Sequence, residues 1–114
     1  MAEDLLPPEI ACLIPHPRRA PGYGPSAVAY VKFVAPWQGR RWYVTLFDPE
    51  DGWCWTKYVG PEGPALMGVH VATLQGLRGP NGECVRRDPS FTQLPLAQCE
   101  PDAVPTIVRG EERL

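Results

Sequence analysis

Apolar and polar positions alternate most strongly in AVAYVKFVA (27–35), a run rich in β-branched and aromatic residues that ends at Pro36. RWYVTLF (41–47) and WCWTKYV (53–59) repeat the pattern. The intervening turns, WQGR and DPEDG, are short enough to fold these three strands into an antiparallel meander. ALMGV (65–69) extends it as a fourth strand, with Gly68 marking a bulge or a close backbone approach. ECVRRD (83–88) supplies a fifth, after an RGPNG turn (78–82). Helical spacing is brief. EIACLI (9–14) follows Pro7 and Pro8, with Leu5, Leu6, Ile10, Leu13 and Ile14 on its apolar side. HVATLQGL (70–77) turns Val71, Leu74 and Leu77 inward. Between the first helix and the first strand, PHPRRAPGYGPS (15–26) reads as loop.

The predicted fold is therefore α+β: a small antiparallel sheet of four or five strands with a meander core, one or two short helices and long Pro-rich loops. Its 114 residues suit a single domain. Residues 1–27 form an N-terminal helix and loop, 28–94 the sheet core, and 95–114 an extended tail ending in a frayed, charged GEERL.

Alternation also assigns the two faces of the sheet. The economical register puts Ala29, Val31, Phe33, Trp42, Val44 and Leu46 in the core beside Cys54 and Tyr58. The opposite face then carries Tyr30, Lys32, Tyr43, Thr45, Trp53, Trp55 and Lys57. A one-residue slip exchanges the sides. Aromatics interleaved with lysines on a sheet can stack bases and hold phosphates, as in single-strand binders. Exposed Trp and Tyr also serve as anchors for protein partners. The structural alternative is cross-strand packing beneath the N-terminal loop or the C-terminal segment.

Composition shifts the balance among these. Fifteen prolines and eleven glycines break the chain into short elements, and a formal charge of −2 offers no general attraction to nucleic acid or anionic membranes. The acidic opening MAEDLLPPEI lacks a signal-peptide pattern, and no apolar run approaches the length of a membrane helix. The expected setting is cytoplasmic, without a membrane. Four scattered cysteines, Cys12, Cys54, Cys84 and Cys99, show no paired metal-ligand spacing and read as separate thiols.

Chemistry-bearing clusters are few. Asp48, Glu50 and Asp51 crowd one turn, where alternate oxygens can hold a hard cation; Asp48-Pro49 and Gly52 also make a good turn. Arg78, Arg87 and Asp88 form a second candidate, as an anion or partner contact or as surface ion pairs. No nucleophile elbow, HExxH or phosphate loop is present. No catalytic residue and no cofactor are expected.

In order, LLPPEI, AVAYVKFVAP, RWYVTLFDPED, LRGPNG and RRDPSF resemble the domain-of-unknown-function family 2958, over roughly residues 5 to 94. Arg86 replaces that family's glutamate before Arg87-Asp88, and MGVHVATLQ replaces a segment richer in aromatics and acids. The resemblance implies a small bacterial protein of plasmids and other mobile elements; it implies no activity. The reading that results is a noncatalytic protein-interaction module binding a host or element-encoded protein. The alternatives are a single-stranded nucleic-acid module and a metal-assisted hydrolase using Asp48, Glu50 and Asp51.

Overall fold

A computed structural model describes residues 5–24 and 26–104, together with the backbone of Val108–Arg109. The expected frayed end at 110–114 lies outside the described residues. The chain forms α1 (Pro8–Ala11), β1 (Val28–Ala29), β2 (Val31–Ala35), β3 (Arg40–Asp48), β4 (Trp53–Val59), β5 (Ala65–His70), α2 (Val71–Gly76), β6 (Arg86–Arg87), β7 (Leu94–Pro95) and β8 (Val108–Arg109). The main sheet runs β6-β2-β3-β4-β5-β8, and β1 pairs separately with β7. All these pairings are antiparallel except β8 on β5. The fold is α+β, with five antiparallel strands in the main sheet.

The β2–β3–β4–β5 meander follows the sequence pattern closely, and three other elements differ from it. The first helix is one turn, Pro8–Ala11, and Pro15 disfavours helical backbone at the residue before it. Residues 12–14 continue only as tight turns, with Leu13 N–H donating to the Ile10 carbonyl and Ile14 N–H to that of Ala11. The expected fifth strand shrinks to Arg86–Arg87 on the sheet edge. The expected single strand at 27–35 breaks at Tyr30, because Val28–Ala29 pairs with Leu94–Pro95 while Val31–Ala35 pairs with β3.

That break and one bulge rearrange the faces. Ala29 leaves the expected core and joins a second apolar cluster with Ala27, Tyr43, Val59, Leu96 and Cys99. Tyr30 moves the other way and packs against the main cluster, so it is not on the aromatic face. Pairing on β4 jumps between Val44↔Thr56 and Leu46↔Trp55, leaving Thr45 as the extra residue. An inserted residue reverses the alternation that follows it. Phe47 thus enters the main core, and Leu46, expected there, lies on the opposite side near Gly22 and Trp55. The bulge is held by the Thr45 hydroxyl, 2.8 Å from the Gly22 carbonyl and 3.2 Å from that of Trp55.

The main core joins Val31, Phe33, Trp42, Val44, Tyr58, Met67 and Val69 of the sheet to Leu5, Leu6 and Ile14 near α1 and to Leu74 of α2. The second face is covered by Tyr23 and by the segment from Phe91 to Ala103. Helices cover one side and extended chain the other.

Candidate functional site

The covered face places charged side chains in the second cluster. Lys57 lies mid-strand on β4, opposite Tyr43 of β3 and Leu66 of β5. It is only 3% exposed. Its ammonium donates to the Cys99 carbonyl at 2.5 Å and to the Glu100 carbonyl at 3.1 Å. Glu100 has φ 52, the one positive value among the described non-glycine residues. Left-handed backbone is unfavourable for a residue with a Cβ and survives where surrounding contacts hold it. Here two successive carbonyls converge on one ammonium, and the Glu100 side chain is tied down as well. Its carboxylate accepts from Arg41 Nε at 2.9 Å, Arg41 Nη2 at 2.6 Å and the Tyr43 hydroxyl at 2.6 Å.

The electrostatics follow from that arrangement. Hydrogen bonds from Arg41 chiefly, with that of Tyr43, hold the Glu100 carboxyl below its ordinary value of 4.5, against the opposing effect of burial. Burial above all, and then the bond to Glu100, raises the Tyr43 hydroxyl. Burial lowers the Lys57 ammonium, with nearby negative charge opposing it. Burial also pushes the Cys99 thiol up to about 11, which keeps it protonated and unreactive near neutrality.

Glu100 supplies a pH prediction. A folded value below the unfolded one adds stability that is complete above about pH 4.5 and lost as pH falls through the folded value. Glu100→Gln is expected to cost roughly 1–2 kcal/mol at pH 7, a modest figure because the Arg41–Glu100 pair is part-exposed. Urea denaturation from pH 6 to pH 3 should show wild type and variant converging at the acid end. Parallel curves would show that the pair adds no pH-dependent stability.

The other expected site residues are distributed differently. Trp53 and Trp55 are half-buried, with Trp53 edge-on to His70 at 5.5 Å. Lys32 lies 5.5 Å from the centre of the Tyr43 ring and 3.7 Å from Asp88. Tyr43, Thr45 and Lys57 are buried, so the candidate aromatic and basic sheet face follows the packed, covered alternative rather than the open one. Arg78 donates to the carbonyls of Gln75 and Leu77 and closes the end of α2. Asp88 caps its own turn through the Ser90 amide and hydroxyl. Asp48 accepts from the Glu50 amide at 3.0 Å and lies 3.8 Å from His16; Glu50 and Asp51 project from the turn. No group of three or more His, Cys, Asp or Glu side chains among the described residues is placed to hold a metal ion.

A different surface emerges around α1, where the sequence pattern placed a helix with Leu13 on its apolar side, followed by a connector. Leu13 is 60% exposed. Together with Tyr30 it separates two hollows, of about 200 Å³ and about 380 Å³. Arg87 and Asp88 border the first, His16 and Arg19 the second. Arg19 and Arg87 make no ion pair among the described residues. The sequence signal for this surface was the PHPRR run, whose arginines follow a proline-terminated turn and so stay at the rim.

No family model, curated protein or solved structure matches the chain. Among the described residues, no helix is long and apolar enough to cross a membrane.

Proposed function

We propose that this protein is a noncatalytic interaction module, an accessory protein of a bacterial mobile element. In this reading it holds an acidic polypeptide segment of a host or element-encoded protein in the groove around Leu13 and Tyr30. The observation that carries it is the exposed Leu13 between two hollows of mixed polar and apolar lining, flanked by arginines that lack an ion-pair partner among the described residues. An apolar anchor would enter beside Tyr30, and carboxylates would meet Arg19 and Arg87. The mobile-element setting rests on the resemblance of the YVKF, DPED, RGPNG and RRD motifs, in that order, to the domain-of-unknown-function family 2958.

Competing readings draw less support. A single-stranded nucleic-acid module needs an open face, and Tyr43 and Lys57, one of the chain's two lysines, are buried. A metal-assisted hydrolase needs converging ligands, and Asp48 is engaged in its own turn.

Affinity capture from bacterial lysate tests the groove when wild type is compared with Leu13→Glu, Arg19→Glu and, as a control beside a different hollow, Arg86→Glu. Wild type and Arg86→Glu should enrich the same protein, and either groove variant should reduce it at least tenfold. Capture should also weaken between low and moderate salt. Equal capture by all four proteins, or no specific protein on folded wild type, rejects the proposal.

A further inference from the structure

Lys57 touches no carboxylate among the described residues. Its ammonium rests on two neutral carbonyls, while the Glu100 carboxylate is engaged by three donors from Arg41 and Tyr43. Lys57 forms no ion pair among the described residues. An ammonium has three protons to donate, and the two carbonyls take two of them, which leaves the third for a ligand or solvent in the cavity. Burying such a cation is costly unless a partner neutralises it. Among the described residues, Lys57 is also the only charged one lining a cavity of about 410 Å³ whose other walls include Leu66, Leu96, Pro101 and Val104. Its mouth reaches solvent, since Val104 is 65% exposed and Ala97 lies on the surface. Apolar walls of this volume with one placed polar group are the usual makeup of a small-molecule site.

We propose that this cavity binds a small organic carboxylate, with the anionic head on Lys57 and the hydrocarbon body against Leu66, Leu96 and Val104. The site lies on the sheet face opposite the main core, apart from the Leu13 groove, and does not depend on it. The carboxylate supplies the missing counter-charge, and the apolar walls select against small hydrophilic anions. No covalent step is involved.

Octanoate is a suitable probe, with 1-octanol as the same chain without charge and acetate as the charge without a chain. Heteronuclear NMR on the labelled full chain at pH 7 should show octanoate shifting the amides of Gly24, Leu66 and Ala103. Its Kd should be at least tenfold below that of octanol, and acetate should leave these amides unmoved. Lys57→Met should raise the octanoate Kd at least tenfold while leaving octanol unchanged. Ala97→Glu, a surface change at the mouth, should weaken octanoate at least threefold, and Ala97→Lys should not; this pair decides the matter if Lys57→Met does not fold. Absence of shifts with octanoate, equal affinity for octanol, or indifference to both Lys57→Met and Ala97→Glu overturns the proposal.

Discussion

Replacing Leu96 with aspartate is expected to lower the unfolding free energy by roughly 3–4 kcal/mol. Leu96 is 5% exposed and packs with Ala27, Ala29, Tyr43, Val59 and Cys99, in the cluster that seals the second face of the sheet. Its amide also donates to the Ala27 carbonyl at 2.9 Å, next to the short β1–β7 ladder. The substitution removes a buried aliphatic side chain, worth about 2–3 kcal/mol, and desolvates a carboxylate, a cost that Lys57 of the same cavity offsets only in part. Leu96→Ala isolates the first contribution and should cost about 2 kcal/mol, the lower end for such truncations. Urea unfolding followed by tryptophan fluorescence measures both. Limited proteolysis shows whether the aspartate variant first releases the segment carrying Leu94 to Ala103 and so uncovers Tyr43 and Lys57. If Leu96→Asp stays within about 0.5 kcal/mol of wild type, the segment is a loose covering and the second face is open in practice.

That covering is the feature least legible in the sequence. Alternation correctly grouped Val31, Phe33, Trp42 and Val44, and it put Tyr43 and Lys57 on one face. Such positions are fixed by local periodicity, and register follows once the turns are short. Whether a face is wet depends instead on contacts across long sequence separations, such as Lys57 with Cys99 and Tyr43 with Glu100. No periodic signal marks LPLAQCE as a strap, because its backbone makes only a two-residue ladder and a short 3-10 turn. The misassigned residues have equally local causes. Tyr30 sits where the ladder passes from β7 to β3, and Leu46 follows the Thr45 bulge. Each displaces the alternation by one residue: the break moves Ala29 and Tyr30 relative to the strand after them, and the bulge moves Leu46 and Phe47.

The shift in the binding surface follows from the same facts. A lysine among aromatics reads as a ligand contact when the face is open. Once the face is closed, the same lysine is a buried cation bonded to carbonyls. Tyr30, expected beside it, instead borders the Leu13 groove on the far side of the sheet. The candidate protein-binding surface therefore moves to α1 and the sheet edge.

Gly52→Ala is expected to cost about 2–3 kcal/mol, more than any other single added methyl group at a turn glycine with positive φ. Gly52 ends the DPEDG turn with φ 80, and its amide donates to the Asp48 carbonyl at 2.7 Å. A Cβ there would lie 2.7 Å from His70 Cε1 and 2.8 Å from Nε2, closer than side chains can sit. The imidazole cannot simply swing away. Its Nδ1 accepts from the Ala72 amide at 3.0 Å as the cap of α2, and its ring stands edge-on to Trp53. Moving it adds the loss of a helix cap, about 1 kcal/mol, to the 1–2 kcal/mol of left-handed backbone. Gly82→Ala separates the two, because Gly82 has φ 83 with nothing within 4 Å of an added Cβ. It should show the backbone cost alone. His70→Ser keeps a capping hydroxyl and removes the ring, so in that background Gly52→Ala should fall to the cost of Gly82→Ala. If the two alanine variants are already equal in wild type, the His70 ring has room to move. The turn is then independent of the helix it touches through the Val71 amide and the Gly52 carbonyl.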